Sequence, residues 1–430
     1  MKKKQTIGWK VGAALVIANM IGTGVFTSLG FQLEDIQNSW SILVLWAMGG
    51  MMAISGAFCY AEIGSTFRES GGEYIFLSKL YHPIAGYLSG WISLIIGFAA
   101  PVALAAMALG AYLSNVWQID PKILALASIL LVAVVHSFSI KISSGFQSYA
   151  SWFKVLLILF LILAGIFLMP GNTALNFTNS WQGEILLPSF AIAFVYVSYS
   201  YTGWNAAAYI IEEFDQPRTN LPKALLRGTI IVVILYVLLQ YVFLKHAALD
   251  QLKGQLDIGH VYASQILGND GARIINILIS FFLISSISAM TWVGPRVSFA
   301  MSKDFEIWRF IRKKNKNNLP VVAVWFQAAI SIVYVLSGTF ESVLLYCGFI
   351  LQLTAALTVA GVFLLRQKKQ LQGNYRAPFY PILPIIFTLF SIWILIYLFI
   401  NRPIECGIGL LILGIGMLTY FVNRKISNAK

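Results

Sequence analysis

The chain has 430 residues, of which 58% are hydrophobic and only 11% charged, with a mean hydropathy of +0.77. A polypeptide this apolar cannot keep a water-soluble surface, which excludes a soluble enzyme or binding domain and points to repeated passage through a bilayer. The net charge of +13 would ordinarily raise nucleic acid as a partner, but the basic residues sort by loop rather than forming one soluble patch, so no nucleic-acid partner is expected.

Twelve apolar runs, most near or above the ~20 residues that cross hydrocarbon, lie at about 9–35, 39–66, 83–113, 122–141, 150–169, 185–213, 223–245, 272–301, 320–338, 341–366, 379–400 and 404–423. The expected fold class is an all-α polytopic membrane protein embedded in the lipid bilayer. The first run lacks a cleavage pattern and reads as a retained span. It is interrupted by Ile21-Gly22-Thr23-Gly24-Val25-Phe26, and the sixth is interrupted in the same way by Ser200-Tyr201-Thr202-Gly203-Trp204-Asn205. A broken membrane helix frees N–H and C=O groups that lipid cannot satisfy, so a break persists only where it lines protein or a wet cavity. Either patch alone would fit small-residue helix packing; two in corresponding positions point to a solute site between structural repeats. Five spans separate them, an odd number, so the second unit crosses in the opposite sense. This predicts an inverted 5+5 repeat within one domain over 1–430: repeat one about 9–169, repeat two about 185–366, and additional helices 11 and 12 about 379–423.

The longest outward loop, about 245–271, carries Leu249, Leu252, Leu256 and Tyr262 with Asp250 and Asp257 between, which suggests a short amphipathic lid. The stretch 301–318 is basic, with Phe305, Trp308 and Phe310, and reads either as an interfacial helix or as an ordinary basic loop. With twelve spans both termini share one side, and all of the 30 lysines and arginines fall there except Lys122, Lys245, Lys253, Arg273 and Arg402. The positive-inside rule puts that side in the cytoplasm. Cys59, Cys347 and Cys406 lie in apolar runs without paired spacing, so neither a disulfide framework nor a metal site is expected. His136 reads as a packing residue rather than a proton relay. No nucleophile, base and orienter come together and no cofactor motif appears, so the chain is not expected to be an enzyme.

Several motifs recur in a recognisable order: IGTGVFTSLG at 21–30, AEIGSTFRESGGEYIFL at 61–77, SYTGWN at 200–205, EEFDQPRTNLPKAL at 212–225 and NYRAPFYPILP at 374–384. In these the chain resembles the amino acid/polyamine/organocation transporters, and within them the bacterial members of the L-type amino acid transporter branch. The pairing of Lys154 with Tyr236 is similar to that of the bacterial exchangers of alanine, serine and cysteine. The resemblance covers essentially the whole chain and implies a LeuT-like fold, helices 1 and 6 broken at mid-membrane, and exchange by alternating access without sodium in a bacterial plasma membrane.

An amino-acid zwitterion must shed water from a carboxylate and an ammonium, and burying either unpaired costs several kcal/mol or more. The N–H groups of Thr23 and Gly24 would sit at the positive end of the following half-helix, while Gly22 lets a ligand approach the backbone. Carbonyls of Met20, Tyr199 and Thr202 are candidate acceptors for the ammonium. The resemblance implies this same division, with Ser200 and Gly203 beside the site and Tyr199 closing it from outside. It also implies that Lys154 places its ammonium where sodium-coupled relatives hold a cation, bracing the backbone near Gly22 and the stretch Ser285, Ser286 and Ser288. Position alone would equally allow a lysine snorkelling just beyond a cytoplasmic loop at 141–151. Tyr236 would link helices near the first break, Asn205 would tie the second half of helix 6 to its neighbours, and Trp204 would be structural. Glu62, Glu212, Glu213, Asp215, Arg218 and Arg296 form either an inner gate or a solvated rim.

Spans 1, 3, 6, 8 and 10 carry no mid-membrane acid to pair with a cationic side chain, so neutral amino acids are the expected partners; the small lining of Thr23, Ser200 and Thr202 leans toward small ones, and the resemblance implies small neutral L-amino acids such as alanine, serine and cysteine. The eukaryotic relatives bond to a glycoprotein through a cysteine after span 3; the loop 112–122 has none, and no disulfide-linked heavy subunit is expected. Proton-coupled uptake through Lys154, or a sensor that binds without transport, are the alternatives.

Overall fold

The structure, a computed structural model, describes residues 6–138, 140–167, 181–315, 320–368 and 375–428, the side chains of 140–148, 300, 427 and 428 excepted. Of the basic residues sorted above, Lys2, Lys3, Lys4, Lys316, Lys369 and Lys430 lie outside the described residues, as does the side chain of Lys141. Regular structure among the described residues is helical, apart from one isolated parallel bridge between Ile7 and Phe214.

The chain opens with α1 (Trp9–Met20) and α2 (Gly24–Gln32), bent by 41° across the first break. Helix α3 (Ser39–Phe67) starts where the Asn38 side chain accepts from Trp40 N–H at 2.9 Å and ends at Arg68, in the left-handed region. Helix α4 (Glu73–Leu80) is a short excursion after the positive-φ pair Gly71 and Gly72. Next come α5 (Pro83–Ile92), a π turn over Ser93–Gly97, and α6 (Ala99–Trp117). Pro101 follows the π turn by one helical turn and has no N–H to give back, a usual cause of such a bulge. Helices α7 (Pro121–Phe138), α8 (Ile140–Phe167), α9 (Trp181–Ile185) and α10 (Pro188–Ser200) lead to the second break, after which the chain coils as a 3-10 helix over Ala206–Glu213. Helix α11 (Pro217–His246), the four-residue α12 (Leu249–Leu252) and the long α13 (Ile258–Asp304), kinked at Gly268, precede a second 3-10 segment, Glu306–Arg312. Helices α14 (Val321–Ser337), α15 (Phe340–Gln367), α16 (Ile382–Asn401) and α17 (Pro403–Asn428) complete the chain.

Among the described residues nine helices, α5 to α6 counted as one, are long and apolar enough to cross a membrane, and a tenth span results if α1 and α2 are one. The shortfall against twelve expected runs has a physical reason. The sixth run is divided by its break into 13 and eight helical residues, and α14 has only 17. The expected cytoplasmic loop at 141–151 is instead helix, so α8 begins at Ile140 and Lys154 stands well inside it. Conversely, the outward loop is partly absorbed into α13, which begins at Ile258 rather than near 272.

Helices α1 and α3 both pack against α11, α6 packs against α13, and α2 meets α10. Where lipid is as apolar as the side chains, such association rests on close fit. At Gly24 a Cβ would lie 2.6 Å from Ser200 Cα, so the two half-helices touch backbone to backbone. Helices α16 and α17 lie at the periphery, with a row of exposed Ile, Leu and Phe that includes Ile385, Leu389, Phe399 and Leu411.

Candidate functional site at the two helix breaks

The breaks lie against each other at the head of a cavity of about 780 Å³. Gly203 has φ +98°, a conformation that suits a residue without Cβ, and a Cβ there would come within 2.8 Å of the Asn19 carbonyl carbon and oxygen. The turn of one break therefore rests on the last residues of α1. Ser28 Oγ and Ser200 Oγ, 2.8 Å apart, tie the half-helices on the far side of the contact.

At the first break the Thr23 and Gly24 N–H groups meet no acceptor among the described residues, and the Thr23 side chain gives no cap. These are the free donors at the start of α2, where the helix dipole adds positive potential. The carbonyls on the other side of the break are held by side chains from other helices. Lys154 Nζ donates to Ile21 O at 3.2 Å and to Ser286 Oγ at 2.8 Å, and sits 5.0 Å from the centre of the Phe282 ring. Its side chain is 1% exposed, which removes the snorkelling alternative. Tyr236 Oη donates to Met20 O at 2.6 Å, so this tyrosine braces the same turn directly rather than through Lys154. Gln240 Nε2 donates to Val25 O at 3.0 Å, and Tyr112 Oη to Phe26 O at 3.1 Å.

The sequence reading of the serines needs correction. Ser286 meets Lys154, but Ser285 Oγ is buried without a partner and Ser288 Oγ lies 2.9 Å from His136 Nε2. At the second break the Tyr199 carbonyl is not open either: it accepts from Thr202 N–H at 2.9 Å and from Thr202 Oγ1 at 2.7 Å. No described group donates to the Thr202 carbonyl, leaving it and the second lone pair of Met20 O for a ligand. Met20, Gly22, Thr23, Gly24, Lys154, Tyr199, Ser200, Thr202, Gly203, Asn205 and Ser286 all line the cavity; Tyr236 and Ser285 stand behind its wall. Trp204 packs edge-on against Tyr60, ring centres 4.6 Å apart.

Glu73 was not singled out by sequence reasoning. The turn at Gly71 and Gly72 carries it into the cavity wall, where it is 6% exposed and accepts from Tyr60 Oη at 2.8 Å, from Asn205 Nδ2 and from Tyr209 Oη. Asn205 thus anchors the second break to α4. The only hint in the sequence was an acid directly after a glycine pair. Glu62, expected in the cluster with Arg218 and Arg296, instead receives a bidentate bond from Arg366, both distances 2.8 Å, and a third from Ala377 N–H.

The two ends of the site differ. Towards the chain's first residues the cavity continues past Glu73 to Ile7, Ser70, Tyr74, Met301 and Asp304. At the other end Phe31 stacks between Tyr196 and Phe340, ring centres 5.6 and 5.7 Å away. Tyr196 Oη donates to Glu341, itself paired with Arg402 at 2.8 Å. Burial, with Glu341 nearby, pushes the Glu34 carboxyl in the adjoining loop upward. The segment after α12 lies across this end, Gly254 N–H donating to Gly30 O at 2.9 Å.

A pair of broken helices with free donors at one turn and a polar, small-residue lining suits a zwitterionic solute, and comparison with known proteins agrees. A family described as amino acid permease matches residues 7–419. The human b(0,+)-type amino acid transporter 1 is 26% identical over 430 residues, covering 97% of this chain and 88% of that protein. The human large neutral amino acids transporter small subunit 2 is 26% identical, covering 97% and 80%, and the human cystine/glutamate transporter 24%, covering 98% and 85%. With almost its whole length matched, the chain belongs to the amino acid permease family and is a multi-span membrane transporter of amino acids.

Proposed function

We propose that this protein is a sodium-independent exchanger of small neutral L-amino acids such as alanine, serine and cysteine, working by alternating access in a bacterial plasma membrane with both termini in the cytoplasm. The twelve runs form an inverted 5+5 repeat with two further helices, and the cavity is the inward-facing state. The observation that carries this reading is the ammonium of Lys154 lodged between the Ile21 carbonyl and Ser286. A built-in cation between the first break and α13 supplies the positive charge that a coupling ion would otherwise bring to an unwound backbone. The substrate carboxylate takes the Thr23 and Gly24 N–H groups, and the ammonium takes the carbonyls of Met20 and Thr202. Small size follows from Gly22, Thr23, Gly24, Ser200, Thr202 and Gly203 around the breaks. Glu73, a carboxylate in the cavity wall bonded to Asn205 of the second break, is already held by three neutral donors, which supports neutral rather than cationic side chains.

One feature favours a second reading, uptake coupled to protons: Lys154 has neutral partners in Ile21 O and Ser286 Oγ, so loss of its proton would leave no unpaired acid. We also infer function without a disulfide-linked partner, because Cys59, Cys347 and Cys406 are all buried. Liposomes loaded with unlabelled alanine in sodium-free buffer should take up labelled alanine far faster than empty ones. Equal rates in the two would refute exchange, and accumulation driven by an imposed pH gradient in empty liposomes would select the proton-coupled reading.

A further inference from the structure

We propose that the cavity below the breaks holds a second, weaker site for the amino-acid zwitterion, formed by Trp292 and Arg296 on α13 and Glu213 on the opposite wall. Substrate passes through it between the central site and the cytoplasm. The inference rests on the amino-acid reading of the central site.

The Arg296 guanidinium lies 4.0 Å from the centre of the Trp292 ring, and both residues line the cavity. Among the described residues no carboxylate comes within ion-pair distance of Arg296. Trp292 Nε1 is buried and without a hydrogen-bond partner. Glu213 also lines the cavity and is the acid whose charge reaches Arg296. Its backbone is pinned at the mouth, where Glu213 O accepts from Ile7 N–H at 2.8 Å.

An unpaired guanidinium beside an unpartnered indole N–H is a carboxylate receptor, since arginine binds that group through two parallel bonds. A single acid or amine would satisfy only one wall; a zwitterion satisfies both, carboxylate on Arg296 and Trp292, ammonium on Glu213. Ser286, at Lys154, and Arg296 are ten positions apart on α13, about 15 Å of helix. One alanine cannot span that distance, so the two sites are separate.

The test is equilibrium binding of labelled alanine to the purified full chain, together with exchange in liposomes of known protein orientation. Wild type should bind in two phases, one tight and one weak. R296Q and W292F should lose the weak phase and keep the tight one, and raise the alanine KM on the cytoplasmic face by about tenfold, the loss of a charged hydrogen bond, with the external KM unchanged. R296K should restore part of the loss, and E213Q should give the same split from the other wall if R296Q does not fold. A single tight phase in wild type, or a cytoplasmic KM unmoved in R296Q and E213Q, overturns the second site while leaving the first intact. Absence of the tight phase in wild type overturns the central site, and the inference with it.

Discussion

The two breaks solve one problem in opposite ways. The first, between α1 and α2, is braced from outside: Lys154 from α8 and Tyr236 from α11 hold the Ile21 and Met20 carbonyls. The second, after α10, closes its own carbonyl: Thr202 bonds back onto Tyr199 O, the chain turns at Gly203 into the 3-10 coil from Ala206, and only the Asn205 side chain reaches out, to Glu73. An unwound segment whose bonds come from other helices responds when those helices move, whereas one that satisfies itself moves as a unit. The first break is therefore expected to respond more to movement of those helices than the second, a division that follows from where the carbonyls of each find their donors.

Substitution of Lys154 should break this comparison most severely. Lys154→Ala leaves Ile21 O and Ser286 Oγ buried without their donor, and a lost charged hydrogen bond together with a stranded acceptor is worth about 2–4 kcal/mol. Alanine exchange in liposomes should fall on the order of a hundredfold, while the protein still elutes as a single folded species from a sizing column. Exchange within about twofold of wild type would remove the coupling role.

Gly203→Ala attacks the other kind of break. With φ +98° and the Asn19 carbonyl 2.8 Å from the new Cβ, the substitution adds backbone strain of order 1–3 kcal/mol. Because the substitution removes no donor from another helix, the damage should appear first as a lower melting temperature, by a few degrees, and then as roughly tenfold weaker transport. Unchanged melting in Gly203→Ala would mean that the positive φ is not required.

How much of this was legible in the sequence follows from the same distinction. Both breaks could be seen because glycine and threonine in an apolar run violate a local expectation that no neighbour needs to explain. The partners of the first break could be guessed only as residue types, since Lys154 and Ile21 are 133 positions apart. Local pattern misled where phase mattered: Ser285 and Ser286 differ by one residue, about 100° around a helix, and only Ser286 faces Lys154. Hydropathy also set the start of α8 too late, which made Lys154 look interfacial. Glu73 escaped because it sits in a polar loop, and only the turn at Gly71 and Gly72 brings it to Asn205.

Tyr236→Phe is the mildest of the three and sharpens the contrast between the two braces on the first break. It deletes one neutral hydroxyl and keeps the ring, which packs edge-on against Trp46 with centres 5.7 Å apart. A neutral hydrogen bond contributes about 1 kcal/mol, so substrate affinity should weaken roughly fivefold with melting nearly unchanged. The Met20 carbonyl that loses the hydroxyl is also an acceptor proposed for the substrate ammonium, so the deficit should be larger for alanine than for propionate, which has the carboxylate but no amine. Equal weakening for both in competition binding would instead place the effect of Tyr236 on the carboxylate side of the turn, at Thr23 and Gly24, and reverse the assignment of the two ends of the zwitterion.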